Sequence, residues 1–139
     1  MLYASPRNIA IMEGNKNIYV ITPHVGKFEL DSFLQEVNEL RSLHWDYKVW
    51  KPTAALIDKS GTISQYTGQR YDPSLFVLDP AGWTHDHCEF CSHAISDIEG
   101  YGHLTGYGVH NYWLCNDCYN MMIVPKDIDG VLKNLQLEG

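Results

Sequence analysis

"WTHDHCEFCSH", residues 83–93, places three histidines, two cysteines and two acidic residues in eleven positions. The decisive letters are Cys88-Glu89-Phe90-Cys91, because a second pair, Cys115-Asn116-Asp117-Cys118, follows after 23 intervening residues. Two Cys-x-x-Cys pairs at this separation supply four soft thiolates, and each pair has the reach to take two adjacent corners of a tetrahedron around one Zn²⁺. The thiolate is the binding form, and the ion itself lowers the thiol pKa. Structural zinc on Cys88, Cys91, Cys115 and Cys118 is therefore the reading adopted. An iron–sulfur cluster or a redox dithiol pair are the alternatives that use the same sulfurs. A redox motif needs only one Cys-x-x-Cys at a strand–helix junction and would leave the other pair idle.

The two pairs have different surroundings. The first sits in a turn context, where knuckle loops aim backbone N–H groups at sulfur. The second follows a β-like run, "VHNYWLC", and leads into "NDCYNMM", a helix start with Asn116 and Asp117 in its first turn. A knuckle, a hairpin and two ligands at a helix N-terminus make a treble-clef-like arrangement, with the helix dipole favouring the thiolates. Zinc would then replace core that a piece of this size cannot build alone.

Other ligand sets use the same letters. His87 or His93 could stand in for one cysteine in a mixed sphere, and His85 with Asp86 could hold a second ion. His87-Cys88-Glu89 also matches His-x-Glu, and Cys115 with Cys118 matches the remainder of the zinc deaminase signature. There His87, Cys115 and Cys118 would hold a zinc-bound water and Glu89 would move protons in a nucleobase or nucleoside deaminase-like enzyme. Against this, the usual Pro before the second motif is replaced by Trp113-Leu114, and Cys88 and Cys91 are left without a role.

Outside the cysteine region, 139 residues with 45% hydrophobic content suffice for a core. The longest apolar runs fall far short of the ~20 residues of a spanning helix. The segment "MLYASPRNIAIMEGNKNIYV" lacks a basic stretch, apolar run and small-residue cleavage site. The expectation is a cytoplasmic protein with no export signal and no membrane partner. Four cysteines in a reducing compartment favour a metal over disulfides. The net charge of −7, with ten scattered Lys and Arg, argues against nucleic acid, whose phosphates call for clustered cations. A basic protein partner fits the sign better.

Residues 8–25 contain two β-rich runs around Glu13-Gly14-Asn15-Lys16-Asn17, which predicts a hairpin. In "FELDSFLQEVNELRSLHW", Leu30, Phe33, Leu34, Val37 and Leu40 recur at helical spacing, with Asp31 or Ser32 as the expected cap and Ser32–Gln35 at capping-box spacing. "TAALIDKSGTISQYTG" predicts a second hairpin turning at Asp58-Lys59-Ser60-Gly61. "RYDPSLFVLDPAGW", punctuated by Pro73, Pro80 and Gly82, predicts an extended connection, with a boundary near residues 79–82. Four glycines in "GYGHLTGYG", 100–108, predict a loop or hairpin bend. Asp127-Ile128-Asp129-Gly130 has letters of a calcium loop, but the register puts Pro125 and Gln136 at the end ligand positions. A turn or helix cap before a short final helix is expected instead.

The segments "GWTHDHCEFCSHAIS" and "GYGVHNYWLCNDCY", within residues 82–121, resemble a group of small, uncharacterised bacterial proteins. Those carry an Asp-His-x-His-Cys-x-x-Cys-like segment followed by a Gly-Tyr, Trp-x-Cys-x-x-Cys segment; here Thr84-His85-Asp86-His87 departs from the opening letters. The resemblance implies the same four-cysteine site and an accessory or immunity-type factor that binds protein rather than catalysing a reaction. The expected architecture is α+β. Residues 1–80 would form a small antiparallel sheet with a packed helix, and residues 81–139 a treble-clef-like zinc module.

Overall fold

The structure, a computed structural model, describes residues 18–139. It is α+β, built of small antiparallel sheets and a few short helices. The described residues divide into two compact units, 18–45 with 116–139, and 46–115. No helix among them is long and apolar enough to cross a membrane.

In the first unit, β1 (Tyr19–Thr22) and β2 (Gly26–Glu29) pair antiparallel, from Tyr19 opposite Glu29 to Thr22 opposite Gly26. Tyr19–Thr22 lies in the second run of the predicted first hairpin; that hairpin's residues 8–17 lie outside the described residues. β2 passes directly into α1 (Leu30–Arg41), whose buried residues are Leu30, Phe33, Leu34, Val37 and Leu40, the predicted stripe. The cap differs from expectation. Glu29, not Asp31 or Ser32, is the N-cap, and no side chain caps the helix. Leu30 N–H instead donates to the Ile18 carbonyl at 2.9 Å, so the residue just before β1 supplies an acceptor to the first turn. Asp31 stays in that turn, where the helix dipole favours its charge.

The same unit contains α2 (Asn116–Met122), α3 (Ile128–Lys133) and β11 (Gln136–Glu138), which pairs with the free side of β1. The Asp127 carboxylate accepts the Gly130 N–H at 2.8 Å, so this stretch is the expected helix cap. Pro125 lies in the turn between α2 and α3, and Arg41 satisfies the carbonyls left over there. Its Nη1 donates to the Met122 and Pro125 oxygens at 2.9 and 2.8 Å, and its Nη2 to Lys126 O at 3.0 Å.

The second unit holds β3 (Asp46–Val49), β4 (Thr53–Asp58), β5 (Ile63–Gln65), β6 (Phe76–Trp83), β7 (Asp86–His87), β8 (Ala94–Ile95), β9 (Thr105–Val109) and β10 (Tyr112–Leu114). They form sheets ordered β5-β4-β6 and β10-β9-β3, and the hairpin β7-β8. The predicted second hairpin is β4–β5. Asp58 Oδ1 holds its turn by accepting from Ser60 N, Ser60 Oγ and Thr62 N at 2.7–2.9 Å.

Two expectations need correction here. The predicted connection through 70–83 contains a strand, β6, paired with β4 from Asp58 opposite Phe76 to Thr53 opposite Trp83. Pro80 is tolerated because β6 is an edge strand, and a register shift between Thr53 and Ala55 accommodates the kink. Residues 79–82 lie inside that strand. The glycine-rich stretch is only partly a loop, because Gly106 and Gly108 belong to β9. A Cβ on Gly108 would lie 3.5 Å from the Trp113 ring, and one on Gly106 would lie 2.8 Å from the Leu114 carbonyl. Glycine lets the neighbouring strand and its indole close over β9.

Candidate metal centre

The first cysteine pair is set by a tight hairpin. Cys88 directly follows β7, its N–H donates to the His93 carbonyl at 2.9 Å, and its carbonyl accepts from Ser92 N at 2.9 Å. Ser92 closes the turn in the left-handed region, at φ 65°, a conformation that glycine adopts more readily. Glu89 N–H donates to the Trp113 carbonyl at 2.8 Å, and Cys88 bridges Trp113 in parallel sense. These backbone ties bring the knuckle beside β10. The chain then passes from Leu114 straight to Cys115 and enters α2, which carries Cys118.

The four sulfurs of Cys88, Cys91, Cys115 and Cys118 all lie within 4.8 Å of one another, and Cys91 and Cys115 approach to 3.7 Å. Four thiolates at zinc bond lengths of about 2.3 Å would sit about 3.8 Å apart along the edges of a regular tetrahedron. The observed spacing therefore suits a single ion. Cys88, Cys115 and Cys118 are 2%, 1% and 2% exposed, and Cys91 is half-buried. Buried thiolates would be costly without a compensating cation, which a divalent metal supplies.

Other candidate ligands take different places. Among the described residues no histidine or carboxylate joins the cysteine group. His87 is exposed, and its ring packs edge-on against His85 with centroids 4.8 Å apart. His93 is exposed and faces His103 at 6.0 Å. Glu89 is exposed on the knuckle. The deaminase-like set of His87, Cys115, Cys118 and Glu89 is thus not assembled, whereas the sulfur set is.

Asp86 has a role that the sequence did not indicate. Its Oδ2 accepts from Trp50 Nε1 at 2.9 Å and its Oδ1 from Trp83 Nε1 at 3.1 Å. Both oxygens are engaged by indoles, so a second ion on His85 and Asp86 would compete with two charge-assisted hydrogen bonds. Trp50 is 2% exposed, so its N–H has been taken from water. The pairing anchors β7 two residues before the first cysteine. Trp50 lies 36 residues from Asp86, beyond the reach of any local pattern.

Ser96, 1% exposed, donates from Oγ to the Thr84 carbonyl at 2.7 Å and accepts from Ile98 N at 3.2 Å, fastening the far side of the same hairpin. No protein-family model, no curated protein and no solved structure matches the chain.

Proposed function

We propose that this chain is a structural-zinc protein whose role is to bind another protein. Cys88, Cys91, Cys115 and Cys118 hold the ion, and the knuckle, the β9–β10 hairpin and α2 form a treble-clef-like module around it. A single observation carries this reading: four sulfurs, three of them buried, gathered at the spacing of one tetrahedral sphere. Such a sphere is full. It leaves no position for a substrate or an activated water, so the ion's contribution is to folding.

The partner is a basic protein, and the role is that of an immunity-type or accessory factor in the bacterial cytoplasm. Supporting this are the net charge of −7 and the apolar surface left on β5-β4-β6. Ile63 and Val77 both pair with Ile57 in the same cross-strand row, and they are 51% and 66% exposed. Rows of this kind, rimmed by polar residues, mark protein-binding surfaces.

Metal analysis of protein purified without added zinc tests the site, with about one zinc per chain expected. Affinity capture from the source cell tests the role and is expected to return a basic protein whose binding weakens with salt. Recovery of a small-molecule turnover with no protein partner would overturn it.

A further inference from the structure

Four of the seven histidines lie within the nineteen residues 85–103, and none of these four belongs to the cysteine group. Among them His93 and His103 are distinguished by position. Both line a cavity of about 350 Å³, together with Ala94, Gly100, Tyr101 and Gly102. Their ring centroids are 6.0 Å apart, and the planes are inclined at 60°. An ion at a Zn–N distance of about 2.0–2.1 Å sits about 3.2 Å from the ring centre. Two imidazoles sharing it therefore lie about 4.5–6 Å apart at angles of about 90–140°. The observed pair is at the wide end of that window.

The backbone on which these rings stand is already fixed. His103 N–H donates to the Ala94 carbonyl at 3.0 Å, the His103 carbonyl accepts from Ser96 N at 2.9 Å, and the His93 carbonyl accepts from Cys88 N at 2.9 Å. Gly102 allows this approach, since a Cβ there would lie 2.6 Å from the Ala94 oxygen. His85 and His87 are closer, at 4.8 Å, but the His85 ring is already stacked parallel to Trp83 and packed edge-on with Tyr101, and neither His85 nor His87 lines the cavity.

We infer that His93 and His103 form a second, solvent-facing site for a borderline divalent ion such as Zn²⁺, Ni²⁺ or Cu²⁺. The two imidazoles supply two ligands, and water from the cavity completes the sphere. Imidazole suits these metals, and the acidic chain raises the local concentration of divalent cations. Unlike the sulfur site, this one keeps open positions, which a donor group from another molecule can enter.

The test uses the full chain purified with its own metal, titrated with Ni²⁺ alone. Native mass spectrometry is expected to show one additional ion. Paramagnetic broadening is expected to reach the His93 and His103 ring signals before those of His24, His44 and His110. His93→Ala or His103→Ala should weaken uptake by more than about tenfold, as loss of a metal-orienting group does, and His110→Ala should leave it unchanged. Broadening spread evenly over the histidines, or centred on His85 and His87, overturns the inference. Wild-type uptake by a folded His93→Ala/His103→Ala variant does so too. The broadening pattern is read on the unaltered chain, so it decides the matter even where a variant fails to fold. Nickel on sulfur would give thiolate charge-transfer absorption; that outcome overturns the second site and separately indicates that the cysteine site lacks tightly held zinc.

Discussion

The two compact units solve the same problem by different means. The unit made of 18–45 and 116–139 buries Phe33, Leu30, Val37, Met122, Val131 and Leu132 to 1% exposure or less. Unit 46–115 is the larger, yet its buried apolar residues besides cysteine are Trp50, Ala55, Leu56, Phe90, Ile95 and Leu114. It leaves Tyr47, Val49, Ile63, Leu75, Val77 and Leu104 at least half exposed. Where apolar burial is thin, polar and sulfur fastenings take over: Asp86 between two indoles, Asp58 in its turn, and three of the four cysteines. A helix with one apolar stripe closes by burial, whereas small sheets with one-sided rows need cross-links.

The largest expected effect follows from breaking the sulfur cross-link. Cys88→Ser, or removal of the metal by a chelator, should destabilise the protein by several kcal/mol, on the order expected when metal binding is linked to folding. Hydrogen exchange should rise first in residues 86–95 and 105–115, while amides of α1 keep their protection longest. Uniform loss across both regions would show that the contrast between them does not extend to stability.

Comparable in size is a substitution in the apolar unit. Phe33→Ala should cost about 3–5 kcal/mol, the range for emptying a buried aromatic position. Val77→Ala on the exposed face of β6 should cost less than about 0.5 kcal/mol. Urea denaturation of the two variants compares burial in one region with its absence in the other. Equal costs would mean that the β5-β4-β6 face is covered in solution, for instance by a second copy.

Those contrasts also explain what could be read in advance. The stripe of α1 was legible because Leu30, Phe33, Leu34, Val37 and Leu40 follow one local period. The cysteine quartet was legible because the chemistry of each pair is contained in four residues. β6 was not, since Pro73, Pro80 and Gly82 are breakers everywhere except at an edge beside a strand such as β4. Gly106 and Gly108 read as loop until Trp113 on β10 supplies the reason for them. The cap on α1 was misplaced because the partner of its first N–H, Ile18, lies just before β1, outside the local capping pattern. Each miss depends on a neighbour distant in sequence.

Asp86 belongs with the misses, and its substitution isolates one polar fastening from the metal. Asp86→Asn keeps the shape but removes the charge and leaves one carbonyl oxygen for two indole N–H groups. The expected loss is about 1.5–3 kcal/mol, the range for hydrogen bonds to a charged group, with zinc content unchanged. Loss of zinc along with stability would show that β7 positions the knuckle as well as anchoring the sheet.

The smallest effect concerns the β4–β5 turn, where the chain meets water with no core beneath it. Hydrogen bonds from the Ser60 side chain first, and then from the Thr62 backbone, hold the Asp58 carboxyl below its ordinary range. A carboxylate depressed in the folded state contributes stability that is fully present above its unfolded value and is lost as pH falls through the folded one. The ordinary aspartate value of about 3.9 places the onset of that loss just above pH 4. Metal binding is itself pH-dependent, so the wild-type curve alone does not isolate Asp58. The difference between wild type and Asp58→Asn does. The urea midpoints should be separated by a constant interval above about pH 5 and converge as the pH falls toward 3. An interval that stays constant down to pH 3 would mean that the turn is held by the backbone alone, and that polar fastening in unit 46–115 begins with Asp86 and the sulfurs.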